Sequence, residues 1–193
     1  MSRTREKLVE VARLLFAQKG VESTTMNDIA LASKKGRRTL YTYFKSKKDI
    51  YHAVIESELD KLYHSLQAVK EKELPADQKL LDFIHTRLEA IKEVVSRNGT
   101  LRANFFRDIW RVENVRKDFD IREIQFVKQI LDAGVSEGIF DIENTNTTAE
   151  VLHYALKGIE VPYIRGIMTS PEINNSGKIN GIIDLMFDGI RRK

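Results

Sequence analysis

Between positions 33 and 48 the sequence gathers side chains that bond polyanions. Lys34, Lys35, Arg37 and Arg38 surround Gly36, Lys47 and Lys48 follow, and Thr39, Tyr41, Thr42 and Tyr43 set hydroxyls among them. Ammonium and guanidinium groups attract phosphate oxygens, a guanidinium fork matches the acceptor pair of guanine, and hydroxyls bond phosphate or base edges. Leu40 and Phe44, four positions apart, mark an apolar face that should turn inward. The remaining positions then present their polar groups outward together. A charge run is often only a solvated face, but this one coincides with a turn and the short segment after it.

Helices must position these groups. Leu8, Val11, Ala12, Leu15 and Phe16 recur at helical spacing, and Gly20 follows Lys19 as a stop, so residues 3–19 read as an amphipathic helix. Thr25 with Asp28 has capping-box spacing and opens a short helix carrying Ile29, Ala30 and Ala32. Ser33 to Gly36 interrupt it, and Arg37 to Phe44 forms another short helix. Ser46 and Asp49 repeat the box spacing ahead of a long helix through Ile50, Val54, Leu59, Leu62, Leu66 and Val69 towards Pro75. Two short helices joined by a turn and braced by a preceding helix form the geometry that lays a helix in the DNA major groove. Lys47 and Lys48 fall at the start of the long helix, where backbone amides already favour an anion.

Helical periodicity persists beyond Pro75. Leu81, Ile84, Leu88, Ile91 and Val95 mark one helix closed by Asn98 and Gly99, and Phe105, Phe106, Ile109 and Trp110 mark a shorter one. Ile121 to Val135 carry a third that stops at Gly138; Thr147 and Glu150 open a fourth, which Pro162 must bend or break. A last helix runs from about Ser176 through Ile190. Nothing alternates with strand period, so the expected class is all-α with about nine helices. Residues 1–50 form the expected helix-turn-helix domain and residues 51–193 a second, larger helical domain.

Charge divides along the same line. Residues 1–50 hold twelve Lys/Arg against five Asp/Glu, a balance of +7, so the rest carries −3 of the overall +4. A basic quarter on a mildly acidic body suits a chain of which one region meets a polyanion. Cysteine is absent, which removes disulfides and thiolate chemistry. His52, His64, His85 and His153 lack the spacing of a helical metal pair, and no phosphate loop, dinucleotide fingerprint or nucleophile elbow occurs. No catalytic residue, metal or cofactor is therefore expected. With neither a signal core nor a membrane-length apolar run, the expected location is the cytoplasm.

The string Leu8 to Phe16, Gly20, Thr24, Thr25, Ile29, Ala30, then Thr39, Leu40, Tyr41, Tyr43, Phe44 and Lys47 resembles the DNA-binding signature of TetR-family regulators over about residues 5–55. The resemblance implies that Thr25 contacts phosphate, that Arg37, Arg38, Thr39 and Tyr43 approach bases or backbone, and that Tyr41 and Lys47 clamp phosphates. Packing within the small helical core is an equal reading for Tyr41. Where the family usually has Ala-Gly-Val-Ser in the turn, this chain has Ser33, Lys34, Lys35, Gly36. The extra lysines add sequence-independent phosphate attraction.

The family likeness also implies a homodimer that represses transcription from a palindromic DNA operator and is released by a small-molecule effector. Its last two helices, about 147–168 and 176–191, would pair with their mates. Phe105, Phe106 and Trp110, with His85 and Tyr154, are the candidates to line an effector cavity, although aromatic residues at this spacing suit a plain core as well. The competing functional class is a helical DNA-associated protein with neither effector nor sequence choice.

Overall fold

A computed structural model describes residues 2–97, 113–164 and 190. Seven helices and no strand occur among them: α1 (Arg3–Lys19), α2 (Met26–Ala32), α3 (Arg37–Tyr43), α4 (Lys47–Lys70), α5 (Ala76–Arg97), α6 (Glu113–Ser136) and α7 (Thr145–Ile164). The all-α class holds. The helices expected around 105–110 and 176–191 lie outside the described residues, apart from Ile190. The chain divides into two units, Met1–Lys61 with Glu93–Lys117, and Leu62–Lys92 with Asp118–Lys193.

In the first unit the apolar stripe read from sequence is the core. Leu8, Ala12 and Phe16 of α1, Ile29 of α2, Leu40 of α3 and Ile50, Val54 and Ile55 of α4 are all fully buried. Each large side chain removed from water contributes about 1.5–3 kcal/mol, enough to order helices as short as α2 and α3 that would not persist alone. Phe16 meets Tyr51 edge-on, with ring centroids 5.9 Å apart. Arg13 is also buried and bonds Glu10 through Nη2 at 2.6 Å. That bond holds the Glu10 carboxyl below its ordinary range.

The second unit departs further from its sequence pattern. Helix α5 starts at Ala76, and its buried stripe is Ala76, Leu80, Phe83, Ile84, Leu88 and Ile91, leaving Leu81 at the surface. On α6, Phe119, Phe126, Val127, Ile130 and Leu131 are buried, whereas Ile121 and Val135 are exposed. Helix α7 begins before the Thr147–Glu150 box: Asn144 Oδ1 accepts from the Thr147 N–H at 3.0 Å and is the cap. Asn caps at least as well as Thr, and Glu150 is bonded instead by Asn146 Nδ2. The helix continues past Pro162.

Charges lie inside this unit as well as at its surface. Arg87 of α5 is fully buried, with Nε 2.5 Å from Glu123 Oε1 and Nη2 2.5 Å from Glu160 Oε1. Burial alone would lower the arginine pKa and raise that of Glu123, but their mutual attraction outweighs it in both, so both stay ionised. Removing one partner of such a group leaves a buried charge uncompensated, at a cost of about 3–5 kcal/mol.

Candidate nucleic-acid interface

The interface is built from α2, a four-residue turn and α3. Thr25 caps α2 as its spacing requires: its Oγ1 accepts from the Asp28 N–H at 3.1 Å, and Asp28 Oδ2 accepts from the Thr25 N–H at 2.9 Å. The backbone bond, with the side-chain bond second, holds the Asp28 carboxyl below its usual value. Thr25 is exposed at the helix entry.

The turn closes by two backbone bonds. Lys35 N–H donates to Ala30 O and Lys34 N–H to Leu31 O, both at 3.0 Å, the paired pattern of a Schellman C-cap. Such a cap needs its second residue left-handed, and here that residue is Lys34, with φ 55°, alone among described non-glycine residues in this region. A side chain there costs roughly 1–2 kcal/mol. Buried Ser33 offsets part of this by donating its hydroxyl to Ala30 O at 2.9 Å. The turn is thus closed by backbone bonds with Lys34, Lys35 and Gly36 in place. Gly36 starts α3 without a side-chain cap.

Helix α3 buries Leu40 completely, and Phe44 behind it is 3% exposed. Arg37 and Arg38 are exposed, Thr39 and Lys35 are half-buried, and Tyr41 and Tyr43 are 44% and 37% exposed. Arg37, Arg38, Tyr41 and Tyr43 are thus open to solvent, while Thr39 and Lys35 are partly covered. Thr42 is also exposed, but its hydroxyl donates back to Arg38 O at 3.0 Å. Tyr43 Oη lies 3.1 Å from Ser2 Oγ, which orients the phenol across the unit.

Helix α4 opens on a second capping box, Ser46 with Asp49, leaving Lys48 exposed beside it. Lys47 does more than its position suggested. Its Nζ donates to Val21 O at 2.8 Å and Glu22 O at 3.0 Å, so it clasps the loop between α1 and α2 to the start of α4. No local pattern could have signalled a contact spanning 26 positions.

Residues 8–54 match the family model described as bacterial regulatory proteins, tetR family. Over that segment the chain carries the DNA-binding signature of the tetR family. Among curated relatives, an HTH-type transcriptional regulator of Staphylococcus aureus strain MRSA252 is 29% identical over 172 residues, covering 80% of this chain and 91% of that one. The HTH-type regulator YfiR of Bacillus subtilis is 26% identical over 137 residues, 69% of this chain and 66% of its own length. A transcriptional regulator from Cytophaga hutchinsonii shares the fold, with a TM-score of 0.75, 21% identity, and coverage of 97% of this chain and 98% of that one. Residues 8–54 are thus similar to a helix-turn-helix region, and the curated relatives named here are transcriptional regulators.

Of the candidate effector residues, Phe105, Phe106 and Trp110 lie outside the described residues. His85 is half-buried on α5. Tyr154, on α7, is 63% exposed, its ring edge-on to that of His153, and Val151 and Gly158 on the same helix are exposed as well. An open cleft in the second unit, walled by Lys70, Leu74, Lys79, Phe126, Ile130 and Glu137, includes neither His85 nor Tyr154. No described helix is long and apolar enough to cross a membrane.

Proposed function

We propose that the protein is a homodimeric repressor that binds a palindromic operator through α3 of each subunit and is released when a small molecule enters its body. Residues 1–50 read DNA; residues 51–193 dimerise and sense the effector. The observation that carries this reading is the exposure of Arg37, Arg38, Tyr41 and Tyr43 on a helix anchored by fully buried Leu40. Their guanidinium groups suit base edges, while Thr25, Lys34, Lys35, Lys47 and Lys48 suit the flanking phosphates. Dimerisation draws support from α7, whose Val151 and Tyr154 are 61% and 63% exposed and whose Gly158 has open space where a side chain would sit. An exposed apolar pair with a small residue beyond it on the same helix offers a surface that a second helix can cover.

Footprinting on DNA flanking the coding region, with and without a cell extract, tests it. One protected palindrome that the extract releases is expected. Uniform coverage without release would favour a sequence-independent DNA-associated protein, and no protection at low salt would exclude both.

A further inference from the structure

Inside the second unit, two helices bring together three ligand-type side chains that no local spacing links. Asp120 and Glu123 lie three apart on one face of α6, and His153 comes from α7. A ligand atom from each lies within 4.8 Å of the other two. We propose that Asp120, Glu123 and His153 bind a divalent transition cation such as zinc.

The independent sign is the imidazole. His153 is 1% exposed, yet neither ring nitrogen makes an aligned hydrogen bond, and a buried polar group left so is costly. Nδ1 faces Glu123 Oε2 at 2.6 Å and Nε2 faces Asp120 Oδ1 at 3.7 Å. Ligand atoms about 2.0–2.2 Å from a tetrahedral ion stand roughly 3.3–3.6 Å apart, so an ion held through one ring nitrogen would draw in carboxylate oxygens that now lie within 4.8 Å of it. Small side-chain shifts complete the set.

The groups behind the carboxylates are arranged as a supporting shell. Glu123 gives Oε1 to Arg87 at 2.5 Å and turns Oε2 towards the ring; Asp120 gives Oδ2 to Lys157 at 2.9 Å and turns Oδ1 the same way. Hydrogen bonds of this kind fix ligand orientation in metal sites. One imidazole and two carboxylates favour a borderline divalent ion over calcium or magnesium, which take all-oxygen or water-rich shells. Three protein ligands leave a coordination position for water or a small anion. A proton on His153 is the competing occupant, and metal binding expels it.

The test uses the untagged full chain, stripped with a chelator, dialysed against zinc, passed through gel filtration and assayed for metal by mass spectrometry. Parallel samples replace zinc with calcium or magnesium. About one zinc per folded chain is expected, with neither alkaline-earth ion retained, and at least about tenfold weaker zinc binding in His153→Gln and Asp120→Asn. Asp120, at the edge of the cluster, is the variant that best preserves folding. Cobalt in place of zinc should give visible bands of a low-symmetry nitrogen and oxygen site in the wild type alone. Wild-type chain that holds no zinc, or no more than folded Asp120→Asn, overturns the site whatever the His153 variant does.

Discussion

Lys47 Nζ donates to the Val21 carbonyl at 2.8 Å, joining the first residue of α4 to the loop that follows α1. A charge-assisted bond of this kind is worth about 1.5–3 kcal/mol, less where water competes. Lys47→Met, which keeps the stem and removes the ammonium, should therefore lower stability by about 1–2 kcal/mol in urea unfolding. A side chain devoted to phosphate alone would leave stability unchanged when replaced.

Lys34 occupies the left-handed position of the turn ahead of α3, and Gly138 occupies the matching position after α6, with φ 73° and the same pair of backbone bonds. Lys34→Gly should raise stability by up to about 1 kcal/mol, because glycine adopts this φ freely. Gly138→Ala should lower it by about 1 kcal/mol. The Lys34 change also removes one positive charge per subunit from the proposed DNA face, so the slope of log affinity against log salt should fall by about 0.9 per subunit, or about 1.8 for the dimer. Gain of stability with loss of salt dependence in one variant separates the two roles of this residue.

Glu10 is held below its ordinary 4.5 chiefly by its hydrogen bond with Arg13. The folded carboxyl releases its proton more readily than the unfolded one, so its contribution is present above about pH 4.5 and is lost as pH falls through the lower folded value. Unfolding midpoints measured from neutral pH downward should drop in that window. In Glu10→Gln the drop should be shallower, and at neutral pH the variant should be less stable than the wild type.

Local rules accounted for α1 to α3 and the start of α4. Thr25–Asp28 and Ser46–Asp49 cap as their spacing dictates, and Leu40 and Phe44 go inside because an isolated pair four apart admits one buried face. The second unit was less legible. Its helices were found by period, but Arg87, Glu123, Glu160 and His153 look in sequence like ordinary polar positions. They become interior only because three helices bring compensating charges together, and Ile121 and Val135 move to the surface in exchange. Asn144 displaced Thr147 as a cap because both residue types serve and only packing chooses the register. Contacts such as that of Lys47 with Val21 leave no trace in periodicity.

The central claim is that the outward side of α3 meets DNA. The most direct measurement is the affinity of Arg38→Ala and Tyr43→Ala for the footprinted promoter fragment, each shown to be as folded and as dimeric as the wild type. Loss of about 1–3 kcal/mol per side chain, roughly tenfold to a hundredfold, is predicted. Unchanged affinity in both variants would contradict the assignment.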